Sequence, residues 1–350
     1  MRLSAIVPLL ALFATGGWWG DSSEASRSAM AQATVHVSDV EAIDLAADDE
    51  AVAANVGTAT LAALGPVEPA EEGAPPTHAG ALAPASAIEA ELQVVRWSIP
   101  HEMRFNEVAL NWGMWPDDLR ELNPEQADTK VFAAGTELVV HRADPHAPTI
   151  SIGAPNRGRL HSGIPLPEGP HWRLRDHRPR GYGATNTIAG LLTAFRTYGE
   201  THPDGPVIRL GEISRRRGGK VKPHVSHRSG RDVDIGYVMK PSPLDDEHYW
   251  RRATARTLDA AKTWTLVKAL VATGEVQRIF MSAKLQRLIA KEAAKELTPA
   301  EIDLLFDAVN PDPRVMTLVA HEHGHMDHMH VRFKCERGNV RCRARSKGAL

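Results

Sequence analysis

The spacing of apolar residues changes at Leu92. Before it, residues 21–91 are rich in Ala, Pro, Glu, Asp and Ser and show no sustained periodicity, a composition typical of a flexible acidic tether. From Leu92 onward, two strand-like runs enclose two runs with helical spacing. In chain order these runs are VVRWSI, FNEVALNWG, PDDLRELN and TELVVH. The pattern predicts a βααβ unit over residues 92–142.

The next stretch, residues 143–157, is polar and contains proline, and it predicts a linker. Between residues 158 and 346, helical and strand-like patterns follow one another and predict one α+β domain. A capping box from Thr298 to Glu301 predicts the start of its last helix. The predicted helices are NTIAGLLTAFRTYGE, LDAAKTWTLVKALVATG, AKLQRLIAKEAAKE and EIDLLFDAV. The predicted strands are GPVIRLGEI, DVDIGYV and VQRIFMS.

Residues 1–20 are typical of an export signal. Arg2 precedes the apolar run LSAIVPLLALFA, and small residues follow the run. The run is shorter than the ~20 apolar residues of a membrane-spanning helix, so we expect no stable membrane insertion after cleavage. A net charge of −2 gives no overall electrostatic signal for nucleic acid. These features predict a periplasmic or secreted protein without a nucleic-acid partner.

The chain has two cysteines, Cys335 and Cys342. Two free thiols are one possibility. An exported protein, however, reaches an oxidising compartment, where a lone pair of cysteines close in sequence forms a disulfide bond. We therefore predict a disulfide bond between them.

Five histidines lie within HEHGHMDHMH, residues 321–330. If the first half were a helix, HEHGH would be an H-E-x-x-H zinc motif with its glutamate as the base. That motif needs a third protein ligand. The acidic residue left after Asp327 is Glu336, which lies just past the first cysteine at a spacing unlike that of the known zincins. The helical interpretation is therefore disfavoured.

A strand over the second half of this segment is the better interpretation. Alternation along a strand places His328 and His330 on one face and the apolar residues between and after them on the other. Two imidazoles on one strand face can serve one metal site, one as ligand and one as base. His321 and His323 are then expected to be exposed to solvent.

The other ligands are expected from an upstream segment, HVSHRSGRDVDI. His227 stands seven residues before Asp234, and Gly230 permits a turn between them. Asp232 and Asp234 alternate on a strand, and we expect only one of them to face the site. His227, Asp234 and His330 would then form a His₂Asp set with one open position, which is the form of a catalytic zinc site.

The βααβ unit resembles a LysM module, a class that binds N-acetylglucosamine-containing glycans. The matching residues are Trp97-x-Ile99, Phe105-x-x-Val108-Ala109, Leu119-x-x-Leu122-Asn123-Pro124 and Gly135-Thr136-x-Leu138. The unit departs from the module at Glu102-Met103-Arg104, where Gly-Asp-Thr or Gly-Asp-Ser is usual before the first helix. That loop helps to shape the sugar groove of the family. We expect the tryptophans of this unit to form its core rather than a sugar platform; they are Trp97, Trp112 and Trp115.

The α+β domain resembles the penicillin-insensitive murein endopeptidases. These belong to the superfamily (LAS) that includes lysostaphin-type peptidases, D-Ala-D-Ala carboxypeptidases and the hedgehog signalling domain. The resemblance covers about residues 158–342. It depends on GRL and GIPLP at the domain entry, RGGK, HVSHRSGRDVDI, VQRIF, HMDHMHVRF and the closing cysteine pair. It implies a LAS-type fold with a central antiparallel sheet.

The resemblance also implies a reaction. Zn²⁺ would be held by three side chains, His227, Asp234 and His330. His328 would be the general base or an oxyanion partner, and His325 would assist it. His224 also matches a family histidine, either as a supporting group or as a substrate contact. The implied substrate is the D-alanyl–meso-diaminopimelyl cross-link of peptidoglycan.

Two other interpretations stay open at this stage. One is a DD- or LD-carboxypeptidase acting on stem peptides in the same fold. The D-Ala-D-Ala carboxypeptidase pattern is S-x-H-x-x-G-x-A-x-D, and this chain has Val225 at the serine position and Asp232 at the alanine position. The other is a cell-wall-binding protein without catalytic activity.

Overall fold

The computed structural model describes residues 85–175, 178–242 and 250–344. The predicted signal peptide, and the predicted linker up to residue 84, lie outside these ranges. The described chain begins with helix α1 (Ala85–Glu91). This helix occupies the end of the predicted linker, and it is ordered because Ile88 is buried in the hydrophobic core. The last seven residues of the predicted linker are therefore helical.

The βααβ arrangement is present, with two short additional strands. Its elements are β1 (Val94–Ser98), β2 (Met103–Arg104), α2 (Phe105–Asn111), α3 (Pro116–Leu122), β3 (Val131–Phe132) and β4 (Glu137–Arg142). Strands β1 and β4 pair antiparallel. Trp97 and Trp112 are buried and meet edge to face with ring centroids 5.6 Å apart. Trp115, by contrast, is 70% exposed, so its expected place in the core is wrong.

The predicted linker 143–157 is partly wrong. Strands β5 (Ile150–Ala154) and β6 (Arg157–His161) form an antiparallel hairpin. The hairpin is fixed to the following domain by Ser151, whose buried hydroxyl donates to the carbonyl of Ser229 at 2.7 Å. Because this tertiary contact is not visible in the local pattern of polar residues, the hairpin was missed.

The rest of the described chain alternates helices with strands and confirms the α+β class. The elements are β7 (Ile164–Pro165), β8 (Trp172–Leu174), β9 (Tyr182–Gly183), α4 (Thr185–Thr201), β10 (Ile208–Leu210), β11 (Asp232–Gly236), α5 (Ala260–Ala272), β12 (Val276–Met281), α6 (Ala283–Ala293), α7 (Pro299–Leu305), β13 (Val319–His321) and β14 (His328–Phe333). Helix α7 begins with the predicted capping box at Thr298 and Glu301.

Six of these strands form one sheet in the order β13-β12-β14-β11-β10-β8. Its four inner strands pair antiparallel, as the family resemblance implies. The edge strands β13 and β8 pair parallel with their neighbours, so the sheet as a whole is mixed. Met329 and Val331 on β14 are fully buried in the core. The opposite face of β14 is thereby free to carry His328 and His330.

The βααβ unit packs directly against the larger domain. The Tyr182 hydroxyl donates to the carbonyl of Trp112 at 2.6 Å. The Arg178 guanidinium lies over the Trp97 ring, 5.0 Å from its centroid, and Arg216 pairs with Asp118. Two of the three tryptophans of the unit are therefore used for packing.

The predicted disulfide bond between Cys335 and Cys342 is present. It closes the turn that follows β14, and Cys342 pairs with Gly153 of the β5–β6 hairpin. The bond thus fixes the chain end against the start of the domain.

Candidate metal centre

The histidine-rich segment 321–330 runs as a strand, a turn and a second strand. Strand β13 ends at His321, and Gly324 in the turn has a φ of 82°, which is incompatible with a right-handed helix. The H-E-x-x-H helix is therefore absent. His321 and His323 are exposed as expected, whereas His330 is only 7% exposed.

Strands β11 and β14 bring the two predicted halves of the site together. Their antiparallel register places Asp234 opposite His330. The Oδ1 atom of Asp234 lies 2.9 Å from His330 Nδ1, 3.2 Å from His227 Nε2 and 3.9 Å from His328 Nε2. Residues about 100 positions apart in the sequence thus meet around one carboxylate.

The imidazole of His227 is held in a fixed orientation. Its backbone has a φ of 61°, and its N–H donates to Asp232 Oδ2 at 3.1 Å. Its Nδ1 lies 3.1 Å from the carbonyl oxygen of Ile213. Because a carbonyl oxygen can only accept, Nδ1 carries the proton and Nε2 presents a lone pair towards Asp234. Gly230 at φ 72° makes the predicted turn between His227 and β11.

Asp232 also faces the site, and the expectation that only one of the two aspartates would do so is wrong. Residues two positions apart on a strand point to the same face. Asp232 Oδ1 lies 3.2 Å from His330 Nε2 and accepts from Arg332 Nε at 2.7 Å. Asp232 and Asp234 are each 1% exposed. Both carboxylates therefore contact the buried histidines.

These contacts set the charges of the buried groups. Burial raises the pKa of Asp232 and Asp234, but the neighbouring cations and histidines outweigh burial and hold both pKa values well below the ordinary range. Burial lowers the pKa of His330, whereas the charges of Asp232 and Asp234 and the hydrogen bonds to them raise it to about 9. The two carboxylates thus favour a proton on His330, and a metal ion bound at its ring would replace a ring proton.

His224 lies at the more exposed side of the cluster. Its Nδ1 is 3.5 Å from Asp234 Oδ2, and its Nε2 is 3.5 Å from Glu212 Oε2. The hydrogen bond to Glu212 raises the pKa of His224. Burial raises the pKa of Glu212, but the interactions with His224 and Arg180 outweigh it and lower this pKa to about 2. His224, His227 and Asp234 offer ligand atoms that all lie within 4.8 Å of one another.

His328 is oriented by two further side chains. Its Nδ1 lies 2.7 Å from Asp327 Oδ1, and because a carboxylate can only accept, Nδ1 is the protonated nitrogen. The hydrogen bond from His328 lowers the pKa of Asp327. The indole of Trp250 stacks on the imidazole, with ring centroids 4.8 Å apart and planes at 27°. The free lone pair of His328 is therefore on Nε2, which faces Asp234.

His325 completes the cluster from the turn before β14. Its ring centroid lies 4.8 Å from that of His328, and its carbonyl oxygen accepts from the Tyr237 hydroxyl at 3.1 Å. Burial lowers the pKa of His325. His325 thus stands next to His328, at the edge of the cluster that is open to solvent.

The buried polar atoms of this cluster fit a metal ion. Three of them are shielded from solvent and have no hydrogen-bond partner, namely His227 Nε2, Asp234 Oδ2 and His330 Nε2. Buried polar atoms without partners are rare in folded proteins, and a bound metal ion would supply the missing partner. The ligand atoms that lie within 4.8 Å of one another in this structure belong to His224, His227 and Asp234, whereas His330 is in contact with the Asp234 carboxylate through its Nδ1 at 2.9 Å. Two imidazole nitrogens and a carboxylate oxygen suit Zn²⁺.

The comparisons with known proteins agree with this arrangement. A model of the penicillin-insensitive murein endopeptidase family matches residues 151–349, more than half of the chain. The chain belongs to this family. The match begins in the β5–β6 hairpin, so the βααβ unit lies outside it.

Individual relatives with the same description are distant. A penicillin-insensitive murein endopeptidase from Yersinia enterocolitica is 23% identical over 205 residues, 55% of this chain and 68% of the relative. One from Pectobacterium atrosepticum is 23% identical over 219 residues, 56% of this chain and 69% of the relative. One from Klebsiella pneumoniae is 23% identical over 207 residues, 55% of this chain and 69% of the relative. Membership in this family supports peptidase activity on peptidoglycan as the general function.

Three side chains that orient the histidines were missed in the sequence: Glu212, Trp250 and Asp327. Asp327 directly precedes His328, and its position beside a candidate base was a usable signal. Glu212 and Trp250 reach the site only through the tertiary fold, so no local pattern indicates them. The sequence also contains Asp245-x-x-His248, a spacing that could hold a second metal ion but is more typical of a surface turn, and this segment lies outside the described residues.

Proposed function

We propose that this member of the family is an exported zinc endopeptidase that hydrolyses D-alanyl–meso-diaminopimelyl cross-links of peptidoglycan. The observation that carries the proposal is that His227 and His330 both contact the Asp234 carboxylate, at 3.2 and 2.9 Å. Each of the three residues also has a buried atom without a hydrogen-bond partner, namely His227 Nε2, Asp234 Oδ2 and His330 Nε2. Family membership supports the substrate class, and the spacing of the histidine-rich segments supports the metal.

His227, Asp234 and His330 are the proposed zinc ligands. The imidazole of His227 is already in the ligand tautomer, because Ile213 accepts from its Nδ1. Asp232 contacts His330 and the backbone of His227, and it is the group that orients both ligands. His224 is a candidate additional ligand, since ligand atoms of His224, His227 and Asp234 all lie within 4.8 Å of one another.

His328 is the proposed general base. Zinc, when bound, supplies a Lewis acid that lowers the pKa of water towards ~7 and polarises the scissile carbonyl. His328 Nε2 has the free lone pair and accepts the proton of the attacking water, and it then donates this proton to the leaving amine. Asp327 holds the Nδ1 proton throughout and stabilises the imidazolium that forms.

His325 is the proposed oxyanion partner. Its ring stands beside His328 at the solvent-open edge of the cluster, where a scissile carbonyl would enter. The reaction needs no serine nucleophile, which is a physical reason for insensitivity to β-lactams. His224 is proposed to contact the substrate or to support the ligands through Glu212.

The proposed location is the periplasm or the exterior of the cell. The signal-like residues 1–20 and the cell-wall substrate of the family support it. The part of the chain that the structure describes contains no helix long and apolar enough to cross a membrane. The LysM-like unit is proposed to contribute to binding of the same polymer.

Digestion of purified sacculi tests the reaction. Chromatography of the muropeptides should show loss of cross-linked dimers and gain of uncrosslinked monomers. Shortened monomers with intact dimers would instead identify a carboxypeptidase. No change in any muropeptide, together with retained binding to sacculi, would identify a wall-binding protein without catalysis.

Metal analysis tests the site independently of the reaction. Zinc content should fall in each of the single variants His227→Ala, Asp234→Ala and His330→Ala, and it should be retained in His323→Ala. Full zinc occupancy in all three ligand variants would show that the assignment is wrong.

A further inference from the structure

The loop between β10 and β11 has an unusual charge. Between Glu212 and Asp232 the sequence contains seven cationic side chains and no acidic one. The cations are Arg215, Arg216, Arg217, Lys220, Lys222, Arg228 and Arg231. A run of one sign beside a binding site raises the local concentration of ligands of the opposite sign.

Four of these cations face solvent without an ion-pair partner. Arg231 is buried and donates to the carbonyls of Phe333 and Arg343, and Arg216 pairs with Asp118. Arg228 is half-buried. The remaining four are exposed, and none forms an ion pair with a described residue: Arg215, Arg217, Lys220 and Lys222. These four side chains are called the cationic loop below.

The backbone of the cationic loop is held in place. Val221 is fully buried, which leaves Lys220 and Lys222 on either side of it directed outward. The carbonyl oxygen of Arg217 accepts from the N–H of Leu160 on β6. Gly218 has a φ of 65°, and a Cβ on it would lie 2.3 Å from that nitrogen, so the close approach requires glycine. The backbone that carries these charges is therefore fixed against the domain.

Strand β6 extends the positive surface. Arg157 and Arg159 are exposed and alternate with Gly158 and the buried Leu160. Because Leu160 bonds to the cationic loop, the outward face of β6 continues the same surface. Arg157 and Arg159 thus add two exposed cations on the strand that is hydrogen-bonded to the loop.

This surface ends at the candidate metal centre. Lys222 is two residues from His224, whose Nδ1 lies 3.5 Å from Asp234 Oδ2. The other end of the loop is Ile213, whose carbonyl oxygen accepts from His227. A peptide that extends from the metal centre across the loop would therefore lie next to these charges.

We propose that the cationic loop binds the free carboxylates of the stem peptides that flank the scissile cross-link. The inference rests on the proposed peptidoglycan substrate and identifies which part of that polymer the loop contacts. A diaminopimelyl cross-link carries free carboxylates close to the scissile bond, and guanidinium and ammonium groups are their natural partners. The loop acts on substrate binding and not on the chemical step.

The test compares K220E/K222E with R287E/K291E, which makes the same charge change at exposed positions of α6. The substrate is purified cross-linked muropeptide dimer. At low ionic strength K220E/K222E should lower kcat/KM about 10-fold through KM, with kcat unchanged. At about 1 M salt, where the Debye length is about 3 Å, the difference from the control should disappear.

Two further measurements distinguish an effect of charge from a structural effect, and binding of carboxylates from binding of other anions. K220Q/K222Q should give a smaller KM increase, and dimers whose carboxyls are amidated should show no difference between parent and variants. Overturning results are a KM equal to that of the control, a fall in kcat that salt does not relieve, or an unchanged effect with amidated dimers. Dependence on Lys220 and Lys222 for polyphosphate binding alone would also overturn the proposal.

Failure of the proposed function gives a different result. A parent protein that cleaves no dimers contradicts the endopeptidase itself. A parent that cleaves dimers, with variants that match the control, contradicts only the role of the cationic loop. Cosedimentation of His328→Ala with sacculi, with and without K220E/K222E, gives a readout that needs no turnover: the charge reversal should weaken binding at low salt.

Discussion

Buried polar side chains occur both in the βααβ unit and in the sheet of the metal centre, and they differ in their hydrogen bonding. In the unit, Asn123 is 7% exposed. Its Nδ2 donates to the carbonyls of Leu119 and Val139, and its Oδ1 accepts from the N–H of Val139. In the sheet, His227 and His330 are equally buried, yet one ring nitrogen of each has no hydrogen-bond partner.

This difference separates a structural role from a functional one. A buried group whose donors and acceptors are all matched contributes to the stability of the fold. Buried groups that lack partners and carry shifted pKa values are typical of binding and catalytic sites. Substitutions at the metal centre should therefore change zinc content and activity, whereas substitutions of matched polar groups in the βααβ unit should change the free energy of unfolding.

His330→Ala should have the largest effect on activity. It removes a proposed ligand, so zinc content should fall, and kcat/KM should fall by more than the about 100-fold that loss of a supporting group costs. It also leaves the buried carboxylates of Asp232 and Asp234 without the imidazole that they contact, so the free energy of unfolding should decrease. Metal content and thermal unfolding measure the two effects.

His323→Ala is the matched control for His330→Ala. It removes the same side chain from the exposed turn of the same segment. Its zinc content, kcat/KM and unfolding temperature should equal those of the parent. Equal zinc content in the two variants would show that His330 is not a zinc ligand.

His328→Ala should come next. Loss of a general base lowers kcat by about 10²–10⁴-fold, while zinc content should stay at the parental value because the proposed ligands are intact. Asp327→Asn should give a smaller loss, since the asparagine can no longer hold the Nδ1 proton as a charged acceptor. If His328→Ala lost its zinc together with its activity, His328 would be a ligand and not the base.

The sequence predicts the parts of this site that follow from local periodicity. Period-2 alternation places His328 and His330 on one face of a strand, and the structure has them there on β14. The same rule, correctly applied, places Asp232 beside Asp234, and the expectation to the contrary was an error of reasoning. The direction of these four side chains can therefore be predicted from local sequence alone.

Other features depend on contacts that no local pattern contains. Trp250 reaches His328 because Gly236, opposite His328 in the ladder, has no side chain; a Cβ on it would lie 2.9 Å from the indole nitrogen. The β5–β6 hairpin is ordered through Ser229, 78 positions from Ser151. Pairing partners so far apart in sequence are specified by the fold as a whole, so these features could not be predicted.

Asn123→Ala should show the opposite behaviour to the site variants. The substitution leaves the N–H and the carbonyl of Val139 without the amide, at a cost of about 1–3 kcal/mol for each group left unpaired, whereas the Leu119 carbonyl still accepts from the backbone N–H of residue 123. The free energy of unfolding, measured with urea, should decrease, whereas zinc content and kcat should not change. Glu121→Ala, at an exposed position of the same helix, is the control and should leave all three unchanged. Loss of zinc in Asn123→Ala would show that the two regions are not independent.

His141 departs from this pattern within the βααβ unit, because its Nε2 is buried without a hydrogen-bond partner, as is Trp112 Nε1. Burial, and to a smaller extent the nearby Arg216 guanidinium, lower its pKa from 6.5 to about 4. Since the folded-state pKa lies below the unfolded value, protonation favours the unfolded chain. The stabilisation is therefore complete above pH 6.5 and is lost as the pH falls from 6.5 to about 4.

The expected loss is about 2 kcal/mol after allowance for the solvent-exposed part of the ring. Urea unfolding at pH 7 and pH 4 measures it, and His141→Gln should show a correspondingly smaller difference between the two pH values. His146→Gln, at an exposed position just after β4, should behave like the parent. An identical pH dependence in the parent and His141→Gln would mean that the buried nitrogen of His141 has a partner after all.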